Sequence, residues 1–262
     1  MTGAVNDVPA GVAAVVADMQ TRLDALPAES GLREFLGTYQ RTTTAVGKAI
    51  LDGVFEDGEW VEEWDVVFAR LYLDAVDAHL ARAATVPRPW RIAFDAPADL
   101  PGLRKVLLGI NAHVNYDLPQ ALLAVITDAD FADAALLSRR RRDHEAIDGV
   151  LSSRVAAEDQ QLASGGRTLV DRILQPLNRR ASQRFLTEAR QKVWHNTHEL
   201  QVARLAGPDA YAARLAELEV LSAARVADLL APGQVLLRLA VAGFGVLLPP
   251  PADLRRRERG RG

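Results

Sequence analysis

The chain has 262 residues, of which 49% are hydrophobic and 25% charged, the balance of an ordinary globular protein long enough to bury a substantial core. Its net charge of −3 argues against a broad nucleic-acid-binding surface, which needs a basic face. Because the chain has no cysteine, disulfides, thiolate catalysis, cysteine-ligated zinc and iron–sulfur clusters are excluded.

Helical periodicity runs along almost the whole chain. Apolar residues recur at intervals of three and four, and no run alternates with the period of two that a half-buried strand needs. The sequence therefore predicts an all-α, single-domain helical bundle of about eight to nine helices with an internal pocket. The prolines between residues 85 and 100 predict an irregular stretch. The predicted helices span residues 9–26, 31–53, 59–84, 101–127, 140–162, 168–175, 177–206, 209–230 and 234–248.

The same pattern divides the chain into four parts. Residues 1–29 are expected to form a peripheral helix and residues 30–232 the helical core domain. An apolar C-terminal helix is expected over 233–248, and a disordered basic tail over 249–262. The first residues lack the pattern of a secretory signal, which predicts a cytoplasmic protein. Its apolar C-terminal helix is shorter than the roughly 20 residues of a membrane span, so it is expected to be buried, with peripheral membrane contact through 234–262 as the alternative.

The predicted helix over 101–127 carries two polar side chains on its apolar face. Successive helical residues are rotated by about 100°, which places Asp117 within about 20° of Ile110 and His113 within about 60°. A carboxylate that points into a core is costly unless it is paired, hydrogen-bonded or metal-bound. His113 lies four residues before Asp117, so the two side chains are neighbours on one face. Pro119 predicts that the helix kinks or stops just beyond them.

Other predicted helices also direct polar groups toward their apolar faces. We expect these groups to line one pocket around His113 and Asp117, because all of them point inward. By contrast, His195 and His198 fall off the apolar face of their helix and are expected at the surface. The candidate catalytic residues are His113, Asp117 and Asp143, and the candidate substrate-binding residues are Tyr39, Thr43, Tyr72 and Asn196.

Four stretches carry a resemblance to a known family: FLGTYQRTTTAV (35–46), WVEEWDVVFARLYLDA (60–75), PWRIAFDA (89–96) and LLGINAHVNYDLPQAL (107–122). Together they resemble a bacterial family described only as a domain of unknown function, over roughly residues 30–205. The resemblance implies a helical fold with a pocket but names no reaction. The His-x-x-x-Asp spacing is also similar to the helical zinc-dependent phospholipase C and nuclease group, which implies that His113 and Asp117 share one divalent metal ion.

Three functions stay open at this point. The first is an enzyme that uses metal-assisted or His/Asp acid–base chemistry on a small hydrophobic or lipid-like molecule. The second is a core in which His113 and Asp117 form a satisfied structural pair. The third is a non-catalytic module that binds a hydrophobic ligand or rests on a membrane. No nucleic-acid partner is expected, and the oligomeric state stays open.

Overall fold

The computed structural model describes residues 7–162 and 179–230, and in this part of the chain every regular element is helical. The all-α prediction is confirmed. Side chains are described for residues 7–150 except 103, and for 191–230. The elements are α1 (Ala10–Ala25), α2 (Leu32–Leu51), α3 (Gly58–Leu80), α4 (Arg88–Phe94), α5 (Gly102–Ala112), a π-helical turn (His113–Asp117), α6 (Leu118–Val125), α7 (Asp128–Ala132), α8 (Ala134–Leu162), α9 (Arg179–Ala206) and α10 (Pro208–Leu230).

The structure differs from the sequence prediction in two places. The short helix α4 lies within the stretch that we expected to be irregular, because Pro89 falls in its first turn, where a missing amide hydrogen breaks no helical hydrogen bond. A second short helix, α7, begins with a capping box in which Thr127 and Asp130 each accept a backbone N–H of the other. The predicted helices over 168–175 and 234–248 lie outside the described residues.

Two apolar clusters form the core of the bundle. The first gathers residues of α1 to α5 and α10 around the fully buried Tyr72 and Trp90. The second gathers residues of α2, α3, α6, α8 and α9 around the stacked pair Trp60 and Trp64. Phe68 on α3 packs against both clusters, so the middle of α3 lies where the two meet.

The first helix belongs to this core. Val12, Val15 and Met19 are fully buried, and two of them are members of the first cluster. The helix packs on both α2 and α3, and the expectation that residues 1–29 form a peripheral helix stays a prediction. The described residues contain no helix with both the length and the apolar character needed to cross a bilayer.

Candidate functional site

A π-helical turn positions the two central residues of the predicted site. The amide of Leu118 donates to the carbonyl of His113, five residues back, instead of the four-residue spacing of an α-helix. Pro119 follows directly and has no N–H to donate to Asn115, so the regular hydrogen-bond ladder is interrupted there. The predicted irregularity before Pro119 therefore takes the form of one widened turn, which carries His113 at its start and Asp117 at its end.

His113, Asp117 and Trp90 form a buried hydrogen-bonded chain. The His113 Nδ1 atom lies 2.8 Å from Oδ2 of Asp117, and the Trp90 indole Nε1–H donates to the same oxygen, also at 2.8 Å. The three residues are only 3%, 2% and 0% exposed, respectively. Since Trp90 comes from α4 and the other two from the π-helical turn, this chain ties α4 to the centre of the bundle.

Burial drives both members of the His113–Asp117 pair toward their neutral forms. It lowers the pKa of the His113 imidazole well below its usual range. It raises the pKa of the Asp117 carboxyl well above its usual range, although the hydrogen bond from Trp90 acts in the opposite direction. The proton between Nδ1 and Oδ2 is therefore shared by a coupled pair, and the charge state of one group depends on the other.

Aromatic rings enclose the imidazole of His113. The Phe68 ring stacks on it with the centroids 3.5 Å apart and the planes within 4°. The Tyr39 ring meets it edge-on at 4.5 Å. Three further rings, those of Phe35, Tyr72 and Trp90, have centroids within 6 Å of it, at 5.9, 5.9 and 5.8 Å. Phe68 is half-buried, so it separates the imidazole from the outside of the bundle.

The side chains around His113 carry polar atoms that lack partners. Buried polar atoms in proteins are nearly always hydrogen-bonded, so such a concentration is unusual. The Thr43 hydroxyl is near enough to Tyr39 to influence the pKa of its phenol, but neither hydroxyl has a partner in hydrogen-bonding geometry. Within the described part of the chain, the buried unpaired atoms of this group are Tyr39 Oη, Thr43 Oγ1, Asp65 Oδ2, Tyr72 Oη and His113 Nε2.

Asp65 is the member of this group that sequence reasoning missed. Its carboxyl is 7% exposed, and burial raises its pKa to about 7. It also lies close enough to Tyr39 to raise the pKa of that phenol further, beyond the larger effect of burial. The sequence does hold a signal, because Asp65 precedes Tyr72 by seven residues and therefore shares its face of α3.

The structure brings together only part of the predicted site. The rings of Tyr39 and Tyr72 pack against His113, and Thr43 is buried near Tyr39, in keeping with their inward direction. Asp143 is buried elsewhere: its carboxylate accepts the backbone amides of Glu56 and Asp57, at 2.7 and 3.0 Å, and so closes the loop before α3.

Asn196 is also separate from this group. Its side-chain oxygen accepts a hydrogen bond from Arg214 at 2.9 Å, which links α9 to α10. Helix periodicity predicts that Asn196 points toward the inside of the bundle, and the side chain is half-buried. The helix that it faces is α10, however, and not the helices around His113. His195 and His198 on the same helix are exposed, as predicted.

The predicted metal ligation has no support in the geometry. Nδ1 of His113 and Oδ2 of Asp117 face each other instead of a common point. Among the described residues, no group of three or more histidine, aspartate or glutamate side chains is arranged to hold a metal ion. The arrangement is better suited to proton transfer, for which a paired imidazole and carboxyl suffice.

Comparison with known proteins identifies a family. The model of a family of unknown function, DUF5995, matches residues 12–232, and the chain belongs to this family. This confirms the resemblance to a domain-of-unknown-function family and extends it to both sides of the stretch that we had expected. No curated protein and no solved structure matches the chain. The similarity to the zinc-dependent phospholipase C group stays a prediction.

Proposed function

We propose that the chain is an acid–base enzyme in which the His113–Asp117 pair exchanges a proton with a small, mainly apolar molecule. The observation that carries this proposal is the buried, unpaired Nε2 atom of His113, whose imidazole is enclosed by aromatic rings, two of which, those of Tyr39 and Tyr72, bear unpaired hydroxyls. A core that served packing alone would gain stability from apolar side chains at these positions. Their presence is expected if a bound molecule supplies the missing hydrogen bonds.

The role of each group follows from its contacts. Asp117 is the positioning residue, because its hydrogen bond to Nδ1 fixes the ring and leaves Nε2 as the unpaired ring nitrogen. When the shared proton lies on Nδ1, Nε2 has a free lone pair and can accept a proton from the substrate. Trp90 in turn holds the Asp117 carboxyl in place. Tyr39 and Tyr72 are suited to hydrogen-bond an oxygen of the substrate, since their hydroxyls are buried and unpaired.

The second candidate function is a purely structural His113–Asp117 pair. The observation that favours it is the tight closure of the site, in which His113 is 3% exposed and Phe68 covers one face of its ring. The two candidates differ in one measurable respect. An enzyme must open often enough to admit a substrate, whereas a structural pair opens only when the protein unfolds.

Chemical modification of the imidazole tests this difference. Diethyl pyrocarbonate acylates neutral imidazoles that it can reach, and mass spectrometry locates each modified histidine. We expect His113 to react more slowly than the exposed His195 but much faster than the whole protein unfolds. Phe68→Ala should accelerate the reaction at His113, because it removes the ring stacked on the imidazole, and should leave His195 unchanged. Modification of His113 at the rate of global unfolding would establish the structural pair instead.

The nitrogen resonances of the ring test the proposed role of Nε2. In protein with ¹⁵N-labelled histidine, the Nε2 signal of His113 should change between its unprotonated and protonated values as the pH is varied, with a midpoint that belongs to the coupled pair. In Asp117→Asn this transition should move to lower pH, because burial alone then acts on the imidazole. An Nε2 that stays protonated throughout would contradict the role of a base.

A further inference from the structure

A cleft on the surface is lined by residues that neighbour Trp90 and Asp117 in the sequence. It has a volume of about 360 Å³ and lies between α4, the loop before it, the π-helical turn and α10. Two of its lining residues, Arg88 and Arg91, are on either side of Trp90 in the chain, and a third, Tyr116, directly precedes Asp117. The cleft and the His113–Asp117 pair therefore share the segments that carry Trp90 and Asp117.

The cleft carries more positive than negative charge. Arg88 and Arg91 are both exposed, and among the described residues neither guanidinium has a carboxylate partner. Some other arginines among the described residues do have a carboxylate partner, as Arg22 has Asp77 at 2.6 Å. The one acidic residue of the cleft, Glu219, already accepts the backbone N–H of Arg88 at 2.7 Å. Two guanidiniums thus remain available to an anion that enters from solvent.

The rest of the lining determines what kind of anion fits. Thr85 and Tyr116 offer hydroxyl groups, and an apolar wall made by Val86, Pro87, Ala216 and Val220 lies between the ends of the cleft. The volume is at the lower end of the range typical of small-molecule sites. A guanidinium binds a planar carboxylate or a phosphate through two parallel hydrogen bonds, which a single chloride cannot reproduce.

We propose that this cleft binds the anionic group, a carboxylate or a phosphate, of a small organic acid through Arg88 and Arg91. The inference rests on the proposed function, since it assigns the anionic end to the same molecule whose apolar part would reach the His113 site. The anion is held in the surface cleft, where its charge stays partly hydrated. No charge then has to enter the group of aromatic rings that encloses His113.

Titration with two simple probes tests the cleft directly. Benzoate presents a carboxylate on an apolar ring, and inorganic phosphate presents the phosphate alone. We expect at least one of them to give saturable shifts in the amide resonances of residues 85–91 and 116. Benzoate binding alone would identify a carboxylate ligand, and phosphate binding alone would identify a phosphorylated one. Saturation by neither probe overturns the proposal.

Substitutions establish which residues hold the anion. The double variant Arg88→Ala/Arg91→Ala should weaken binding by about tenfold or more, because hydrogen bonds to charged groups are lost. Glu219→Gln should strengthen binding, because it removes a negative charge while an oxygen remains for the amide of Arg88. Arg70→Ala, at an exposed arginine of α3 outside the cleft, is the matched control. Equal binding by the double variant and the control would overturn the proposal.

The two proposals can fail separately, because modification of His113 tests the proposed function and probe titration of the cleft tests the anionic ligand. If His113 proves inaccessible while the probes still bind in the cleft and depend on the two arginines, only the proposed function fails. If His113 is accessible and titrates as expected while no probe binds, only the anionic ligand is refuted.

Discussion

Replacement of Asp65 by asparagine should change how the stability of the protein depends on pH. Asp65 is buried near Tyr39, its Oδ2 atom has no hydrogen-bond partner among the described residues, and burial raises its pKa to about 7. In the unfolded chain an aspartate has its ordinary pKa of 3.8. Between these two values the folded protein binds one proton more than the unfolded chain. A rise in pH therefore favours unfolding over this interval.

The size of this effect follows from the difference between the two pKa values. Each unit corresponds to about 1.4 kcal/mol, so ionisation of Asp65 lowers the free energy of unfolding by about 4 kcal/mol over the whole interval. Between pH 5 and pH 8 the loss is about 3 kcal/mol, and nearly all of it occurs below pH 7. Asp65→Asn cannot ionise and should lack this loss, although its buried amide can lower stability by a constant amount of about 1–3 kcal/mol.

Urea denaturation followed by circular dichroism at several pH values between 5 and 8 measures the free energy of unfolding of each protein, and the quantity to compare is a difference. This is the difference in unfolding free energy between the wild type and Asp65→Asn, in which the contributions of all other titrating groups cancel. Asp74→Asn, at an exposed aspartate on the same helix, is the control and should parallel the wild type. A wild-type-minus-Asp65→Asn difference that stays constant across this range would refute the account of Asp65 as a buried, unpaired carboxyl.

Three further substitutions test other contacts of the structure by the same denaturation assay. Tyr72→Phe should stabilise the protein by about 1 kcal/mol, since it removes a buried hydroxyl without a partner; a loss of stability would indicate that this hydroxyl is bonded. Trp90→Phe should destabilise the protein by about 2–4 kcal/mol, because Asp117 loses the hydrogen bond from the indole N–H and a void remains beside it. An unchanged urea midpoint would contradict this. Asp143→Ala should cost about 1–3 kcal/mol through the two amides at 56 and 57, yet leave the ¹⁵N signals of His113 unaltered.

The sequence was sufficient to predict that five polar side chains of this site point inward, although it missed Asp65 and placed Ile110, which is 38% exposed, at the centre of an apolar face. The 100° rotation per residue relates His113 and Asp117 to the apolar face of their own helix, and the same reasoning applied to Tyr39, Thr43 and Tyr72. All five are buried in the structure. Local periodicity was enough for Tyr39, Thr43 and Tyr72, whereas the π-helical turn that carries His113 and Asp117 departs from the 100° rotation.

Periodicity could not say which neighbouring helix an inward side chain would meet. Asp143 is as buried as Asp117, but it faces the loop before α3, and Asn196 faces α10. A bundle of many helices has several interfaces, and the choice among them depends on long-range packing. Trp90 was missed for a related reason, because the prolines around it predicted an irregular stretch and gave no sign that its indole would reach Asp117.

The electrostatics of the His113–Asp117 pair bear on its suitability as a base. With Asp117 ionised and His113 neutral, the pair carries one negative charge in a place from which water is excluded, and this is costly. Uptake of a proton at Nε2 would make the pair neutral overall. The raised pKa of Asp117 expresses the same tendency of the buried pair to take up one more proton. An isolated imidazole in this box would behave in the opposite way, because burial lowers its pKa. The carboxyl thus converts a site that disfavours a protonated imidazole into one that accepts a proton.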